Sequence, residues 1–302
     1  MITRPNVKVN LGLSVLRKRV DGFHDIETLF VPYFGIHDTL EIIPGEGFSE
    51  TSAAIFSKYG PIPEEIPEGY VPNLAQAISP DGKVMITIAK GDGVDWPPLK
   101  DLTVKAYRLL DEEFSLPSVK IFLEKTSPVG AGLGGGSSDA AFALKMLSEM
   151  FSLGLDDAAL AERASTLGSD CAFFIYNRPM IGQGRGEILS PFALENIDFG
   201  QGIENAPYEM TVLTPEGISV STADAYRGIT PREKMENAPE GLREALSRDI
   251  IQWRKCLVND FETTVFEKYP GIKQIKESLY ESGAVYASMS GSGSSVFAIY
   301  KK

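Results

Sequence analysis

Alternation of apolar and polar residues near the N-terminus predicts the first pair of strands. Residues 7–13 place an apolar side chain at every second position, with Lys8 and Asn10 in between. Because side chains alternate between the two faces of a strand, Lys8 and Asn10 share the face opposite the apolar one. Asp21-Gly22 is a typical turn dipeptide, and the apolar run 26–33 predicts a strand that returns beside the first.

The rest of the chain predicts a mixture of strands and helices. Strand-like runs cover 39–43, 83–89, 119–125, 209–213, 284–288 and 296–300. Helical patterns cover 101–114, 140–151, 156–167, and stretches near 240–256 and 271–281. The segment 45–81 is rich in Pro, Gly, Glu and Ser, which predicts an insertion or a long surface loop. The glycines from Gly182 to Gly186 and the loose segment from Pro191 to Pro207 predict a junction near residue 180. The protein would then be a two-domain α+β protein, with domains 1–178 and 179–302.

A glycine-rich run from Pro128 to Ser138 carries the clearest chemical signal. It holds five glycines in eleven residues, which lets the backbone approach a ligand closely. The helical pattern begins directly after it, and Ser137, Ser138 and Asp139 are typical helix-start residues. A glycine loop that leads into a helix offers unpaired N–H groups and the positive end of the helix dipole. The run therefore predicts a binding site for nucleotide phosphates.

Other kinds of glycine loop fit this run less well. Gly130, Gly132 and Gly135 match the G-x-G-x-x-G pattern of dinucleotide-binding oxidoreductases. However, residues 126–128 separate the preceding strand from the glycines, and no strand ending in an acidic residue follows about 20 residues later. No Lys-Ser or Lys-Thr pair follows the glycines, so the run is not a Walker A loop. The remaining alternative is that the glycine run is a flexible linker and binds no ligand.

Composition limits the classes of function. The chain has 302 residues and a net charge of −12, which argues against a general nucleic-acid or anionic-membrane surface. Two cysteines support neither a disulfide framework nor a cysteine-based metal site. No apolar run approaches the roughly 18 residues of a membrane span, and the N-terminus lacks a signal-peptide pattern. We expect a cytoplasmic protein that binds neither nucleic acid nor membranes.

Three motifs in a fixed order resemble those of the GHMP kinases. They are the strand with Lys8 and Asn10, the glycine run, and a second glycine–hydroxyl cluster at 288–295. Within that superfamily, segments 21–30, 132–141 and 167–174 resemble the 4-diphosphocytidyl-2-C-methyl-D-erythritol kinase family, with further counterparts at 184–189 and 258–262. The resemblance implies a two-domain GHMP kinase fold. Its N-terminal domain would be ribosomal protein S5 domain 2-like, and its C-terminal domain ferredoxin-like.

The same resemblance implies a reaction and a set of reacting groups. The activity would be phosphorylation of a tertiary hydroxyl by ATP, supplied as Mg-ATP, in the non-mevalonate isoprenoid pathway. Asp170 would be the catalytic base and Lys8 would stabilise the charge on that carboxylate and on the transferred phosphoryl group. The phosphates of ATP would bind the loop residues Pro128, Val129, Gly130, Ala131, Gly132, Leu133, Gly134, Gly135, Gly136, Ser137 and Ser138. No magnesium ligand can be assigned from the sequence.

The resemblance also implies the residues that bind the acceptor. Asn10 would hydrogen-bond the substrate, while Phe23 and His24 would receive its cytosine, with Phe23 standing where the family usually has Tyr. Tyr226 would cover the opposite face of the base, on a looser alignment. The partner is then a small molecule, and the chain a monomer or weak homodimer. Two alternatives stay open, namely another GHMP small-molecule kinase and an inactive binding protein of the same fold.

Overall fold

A computed structural model describes residues 1–63, 69–235 and 238–302 of the chain. The strands are β1 Ile2–Thr3, β2 Asn6–Lys18, β3 His24–His37, β4 Thr39–Pro44, β5 Leu74–Ile78, β6 Val84–Lys90, β7 Val119–Lys125, β8 Met180–Gly184, β9 Ile188–Pro191, β10 Ile197–Asp198, β11 Tyr208–Leu213, β12 Tyr286–Met289 and β13 Val296–Lys301. The helices are α1 Ser52–Tyr59, α2 Leu102–Phe114, α3 Gly135–Met150, α4 Asp157–Leu167, α5 Cys171–Tyr176, α6 Thr222–Tyr226, α7 Leu242–Leu246, α8 Ile250–Cys256, α9 Glu262–Lys268 and α10 Pro270–Glu281.

The chain divides into two compact units, each built from separate stretches of sequence. The first unit contains Met1–Asn6, Ile36–Ser127 and Gly135–Tyr176. The second contains Val7–Gly35, Pro128–Gly134 and Asn177–Lys302. The predicted domain boundary after residue 178 stays a prediction, because these units follow spatial contacts rather than one cut in the sequence. The mixture of helices and strands is that of an α+β protein.

The first unit is a five-stranded sheet with a group of helices. The strand order is β1-β4-β7-β6-β5, and the β6–β7 pair is parallel while the other pairs are antiparallel. Apolar residues at the centre of β4, β6 and β7, such as Ile42, Ile86 and Ile121, are fully buried. Helices α2 to α5 pack against one another, and α3 contacts β4. The end of β7 and the start of α3 bracket the glycine run in sequence.

The second unit holds two four-stranded sheets. Their strand orders are β2-β3-β8-β9 and β10-β11-β13-β12. Leu13 and Val15 of β2 share a hydrophobic cluster with apolar residues from α6, α9, α10, β12 and β13. Lys8, Asn10 and Ser14 of β2 are buried as well, so both faces of this part of the strand are covered. The alternation of residues predicts an apolar face opposite a polar one, and the structure shows that the polar face is buried too.

Several predicted elements are corrected by the structure. The segment 45–81 is not a featureless loop, because it contains α1 and the edge strand β5, although residues 64–68 of it lie outside the described part. Only Ile55 of α1 and Leu74 of β5 are buried, so neither element shows an apolar period. The glycines from Gly182 to Gly186, which predict part of a domain junction, belong to an antiparallel hairpin, β8–β9, and β8 pairs with β3. The helical stretch near 240–256 is two helices, because Asp249 caps a new one.

Candidate active site

Lys8 and Asn10 lie side by side on β2 in the second unit. Lys8 Nζ lies 2.5 Å from Asn10 Oδ1 and donates a hydrogen bond to the Gly132 carbonyl oxygen at 2.9 Å. Asn10 Nδ2 donates to Thr28 Oγ1 at 3.1 Å, which directs the amide oxygen toward the lysine. Both side chains are buried, at 3% and 2% exposure. A buried ammonium group held in one position is suited to stabilise charge that develops on a ligand.

The glycine loop contacts β2 within the same unit. The backbone N–H of Lys8 donates to the Leu133 carbonyl at 2.9 Å. Gly132 has a φ of +78°, and a Cβ atom there would lie 2.2 Å from the Ser290 carbonyl oxygen. The close backbone approach and the left-handed conformation both require glycine at this position.

The C-terminal glycine–hydroxyl turn meets both of the other motifs. Ser290 Oγ donates to the Gly132 carbonyl at 3.0 Å and accepts from the Asn10 N–H at 3.2 Å. The Ser295 N–H donates to the Ala131 carbonyl at 3.1 Å. The three motifs that the sequence connected only by their order are therefore in contact in the second unit.

Asn259 organises this turn, and the sequence did not assign it a role. Its Nδ2 donates to the carbonyls of Met289 and Gly291, both at 2.8 Å. Its Oδ1 accepts from the Phe261 N–H at 3.0 Å, and the side chain is buried. The only sequence signal for Asn259 is its place in the segment 258–262, which resembles the family. Met289 and Gly291, to which it donates, are too distant in sequence for these contacts to be inferred.

The first turn of α3 lies in the first unit and begins at Gly135. Ser137, Ser138 and Asp139 therefore stand inside the helix rather than ahead of it, which corrects their assignment as helix-start residues. Ser138 is fully buried, and its hydroxyl has no hydrogen-bond partner among the described residues. An unpaired buried hydroxyl beside the unpaired N–H groups of a helix start fits the binding of a phosphate group.

Asp170 lies in the turn between α4 and α5 of the first unit and is half-buried. The next residue, Cys171, is buried, and burial raises the pKa of its thiol to about 11; a hydrogen bond with Ser137 opposes this shift and the charge of Asp170 adds to it. These interactions place the Asp170 turn beside the first turn of α3. Asp170 and Lys8 belong to different units, so their pairing stays a prediction.

The three residues predicted to bind cytosine lie in the second unit, where His24 pairs with Tyr226 and Phe23 pairs with Arg185. The rings of His24 and Tyr226 stack, with centroids 4.6 Å apart and planes 16° from parallel. Phe23 is 55% exposed, and the Arg185 guanidinium lies 5.3 Å from the centre of its ring. Burial, together with the charge of Lys18, lowers the pKa of His24, which favours the neutral imidazole. The roles of Phe23, His24 and Tyr226 in base binding stay predictions.

Asp101 serves the start of α2. Its carboxylate accepts from the Thr103 N–H at 2.9 Å and from Thr103 Oγ1 at 2.7 Å. It also accepts from the Trp96 indole N–H at 3.1 Å. A carboxylate so occupied is a helix cap in this structure.

Residues 1–63, 69–235 and 238–302 contain neither a cluster of metal-ligating side chains nor a membrane-spanning helix. No group of three or more His, Cys, Asp or Glu side chains in these residues is placed to hold a metal ion. Within the same residues, no helix combines the length and apolar character required to cross a membrane.

Known proteins similar to this chain agree on one family. Residues 101–178 match the GHMP kinases N terminal domain, and residues 241–302 match the GHMP kinases C terminal domain. A 4-diphosphocytidyl-2-C-methyl-D-erythritol kinase of Bacteroides fragilis is 41% identical over 301 residues, covering 99% of this chain and 92% of that protein. The Bacteroides thetaiotaomicron protein of the same name is 42% identical over 302 residues, covering 100% and 92%.

A solved structure extends the comparison to the fold. A 4-(cytidine 5'-diphospho)-2C-methyl-D-erythritol kinase has a TM-score of 0.68 and 30% identity, covering 99% of this chain and 89% of that one. The GHMP kinase fold implied by the motifs is thereby confirmed. With more than 40% identity along nearly its whole length, the chain belongs to the 4-diphosphocytidyl-2-C-methyl-D-erythritol kinase family.

Proposed function

We propose that this protein is an ATP-dependent kinase acting on 4-diphosphocytidyl-2-C-methyl-D-erythritol. It phosphorylates the 2-hydroxyl group of that alcohol, yielding the 2-phosphate and ADP, a step of the non-mevalonate route to isoprenoid precursors. One observation carries the proposal: relatives of that name share 41–42% of their residues with this chain over almost its full length. The enzyme is thus a phosphotransferase with an alcohol group as acceptor.

The reaction assigns a role to each of two charged side chains. The Asp170 carboxylate takes the proton of the C2 hydroxyl as the hydroxyl oxygen attacks the γ-phosphorus of ATP. The bond from the γ-phosphorus to its bridging oxygen breaks, and ADP leaves with that electron pair. Lys8 Nζ stabilises the charge on the transferred phosphoryl group, and its contacts with Asn10 Oδ1 and the Gly132 carbonyl support this role by holding it in position. Phosphoryl transfer depends mainly on such positioning and electrostatic stabilisation.

The phosphates of ATP bind the backbone amides of residues 128–138. The buried, unpaired Ser138 hydroxyl and the glycine required at 132 support this assignment. Mg²⁺ enters with ATP and neutralises phosphate charge when bound. Mg²⁺ is commonly held by substrate phosphates and water with few protein ligands.

The acceptor alcohol binds at the second unit. Asn10 hydrogen-bonds its polar groups, the exposed Phe23 ring stacks on the cytosine, and neutral His24 pairs with the polar edge of the base. Tyr226, whose ring stacks with that of His24, covers the opposite face of the base. The net charge of −12 supports a small-molecule ligand rather than nucleic acid. We expect the enzyme to be a cytoplasmic monomer or weak homodimer.

The test is direct phosphorylation of the proposed substrate. Purified protein is incubated with Mg-ATP and 4-diphosphocytidyl-2-C-methyl-D-erythritol, and phosphorus NMR follows the products. We expect ADP and a new phosphomonoester in equal amounts. A matched reaction contains methylerythritol 4-phosphate, which lacks the cytidine. Efficient phosphorylation of that compound, with the cytidine-linked alcohol left unchanged, would identify another GHMP kinase instead.

A further inference from the structure

Three charged residues with no role in the reaction form a buried cluster in the first unit. Lys125, the last residue of β7, bonds to the carboxylates of Asp38 and Asp139, the latter at 2.6 Å. The exposed fractions of the three side chains are 3%, 0% and 2%. Burial of charged side chains is costly unless each is paired and hydrogen-bonded, so a buried ion pair is weak evidence for a purely stabilising role. Asp139 also belongs to the glycine-loop motif, where the reaction gives it no task.

Asp38 is the most heavily bonded member of the cluster. Its Oδ1 accepts from the N–H groups of Thr126 and Ser127, both at 2.7 Å. Its Oδ2 accepts from Ser127 Oγ at 2.6 Å and from Lys125 Nζ. Each carboxylate oxygen of Asp38 therefore accepts two hydrogen bonds. An asparagine at this position would place its NH₂ group, itself a donor, against existing donors, whichever oxygen it replaced.

Asp139 is bonded through one oxygen only. Its Oδ2 accepts from Lys125, whereas its buried Oδ1 has no partner among the described residues. Burial raises the pKa of Asp139 well above its ordinary range, although Lys125 opposes the shift. An asparagine at 139 can still present one oxygen to Lys125. Loss of the Asp139 charge is therefore compatible with the contact, whereas loss of the Asp38 charge is not.

The cluster joins the two ends of the glycine loop. Ser127 immediately precedes residues 128–134 and Gly135 immediately follows them. A Cβ atom at Gly135 would lie 2.3 Å from Ser127 Oγ and 3.4 Å from Lys125 Nζ, so the two ends are in contact. Lys125 adds a hydrogen bond to Ser127 Oγ at 3.2 Å. Through Asp139, four residues into α3, the same ammonium group holds the helix that starts at Gly135.

We propose that Asp38, Lys125 and Asp139 form a loop clamp that closes the base of the glycine loop and so sets its affinity for the phosphates of ATP. These three are positioning residues, since they act through the loop and do not touch the reacting atoms. The proposal rests on the proposed function, in which the loop binds ATP. Closing a loop in advance of binding removes part of the ordering cost from the binding step.

The test compares four variants by steady-state kinetics and by fluorescent-nucleotide binding. Lys125→Met and Asp38→Asn should raise the KM and Kd for ATP at least tenfold, while the KM for the alcohol stays within twofold. The fold-increase in the KM for ATP should be at least five times smaller in Asp139→Asn than in Asp38→Asn. Lys83→Met is the matched control, because Lys83 forms a 2.6 Å ion pair with Asp111 in the same unit and lies away from the loop in sequence. It should leave both KM values unchanged.

A milder variant covers the case in which the charged ones fail to fold. Ser127→Ala removes one hydrogen bond to Asp38 and should raise the KM for ATP two- to tenfold without changing the KM for the alcohol. Equal effects on both KM values, or unchanged ATP affinity in folded Asp38→Asn and Ser127→Ala proteins, would overturn the clamp. The unmutated protein separates the two proposals: if it fails to phosphorylate the alcohol yet binds ATP, the proposed function is wrong while the clamp is still measured by nucleotide binding.

Discussion

Replacement of Gly132 by alanine tests how the glycine loop is built. Gly132 has a φ of +78°, and an added Cβ atom would lie 2.2 Å from the Ser290 carbonyl oxygen and 3.1 Å from that of Gly293. These atoms belong to backbone, so no side chain can rotate away, and the loop must move. Movement separates the Gly132 carbonyl from its two donors, Lys8 Nζ at 2.9 Å and Ser290 Oγ at 3.0 Å.

The size of the effect follows from those two hydrogen bonds. Each contributes about 0.5–1.5 kcal/mol net, so their loss costs about 1–3 kcal/mol in the arrangement that binds ATP. This corresponds to a roughly 5- to 150-fold weaker affinity. The left-handed conformation adds about 1–2 kcal/mol for any residue other than glycine. Because Lys8 loses a contact that positions it, we expect kcat to fall as well.

Gly130→Ala is the matched control for this substitution. Gly130 has a similar φ of +70°, but a Cβ atom there would meet only Ser219 Oγ, at 3.7 Å. Both variants bear the conformational cost, and the difference between them isolates the steric contact with the C-terminal turn. Calorimetric titration with ATP measures the two affinities, and circular dichroism checks the fold. If Gly132→Ala binds ATP as tightly as Gly130→Ala does, the contact between loop and turn has no part in nucleotide binding.

Three further predictions concern catalysis, base recognition and pH. Asp170→Asn should lower kcat by about 10²–10⁴-fold with little change in ATP affinity, and Lys8→Met should lower kcat by a comparable factor. The double variant should lose less than the product of the two single losses. A near-normal kcat in Asp170→Asn would contradict the assignment of Asp170 as the base. Phe23→Ala should raise the KM for the cytidine-linked alcohol roughly 5- to 150-fold, since one aromatic stack is worth about 1–3 kcal/mol, and an unchanged KM would remove Phe23 from the base site. Burial would raise the pKa of Glu41, but hydrogen bonds from Ser49, Glu50 and Thr51 outweigh it and lower that pKa, so its stabilising effect is present above the unfolded-state pKa and lost as pH falls through the folded-state one. Glu41→Gln should therefore reduce the free energy of unfolding more at about pH 7 than at about pH 3, as measured by urea titration. An equal loss at both pH values would contradict the assignment.

Periodicity predicted the long, well-buried elements and missed the short ones. The strands β4, β6 and β7 and the helices α2, α3 and α4 fall close to the expected ranges, because each buries several residues at a regular spacing. Helix α1 buries only Ile55, and α9 only Val265. One buried residue makes no period, so the tertiary contacts that stabilise such elements leave no local signal.

The motifs located candidate ligand-binding residues, but not the contacts that hold them. Lys8, Asn10 and the glycine loop were recognisable from residue type and spacing. Their links to Ser290, and the role of Asn259 in shaping that turn, depend on hydrogen bonds between residues far apart in the chain. A sequence pattern shows only residues that are near one another along the chain, whereas these hydrogen-bond partners are far apart in it.

Lys125 shows why positioning residues are harder to recognise than reacting ones. At the end of an apolar strand, a lysine is ordinarily read as a solvent-exposed residue that ends the strand. Here its ammonium group is buried because Asp38, from the segment before β4, and Asp139, from α3, both reach it. No local pattern distinguishes the two cases, since the neighbours that make burial tolerable come from other elements. The residues that touch a ligand can be inferred by resemblance to a family, whereas those that hold the loop in shape emerge only from the folded arrangement.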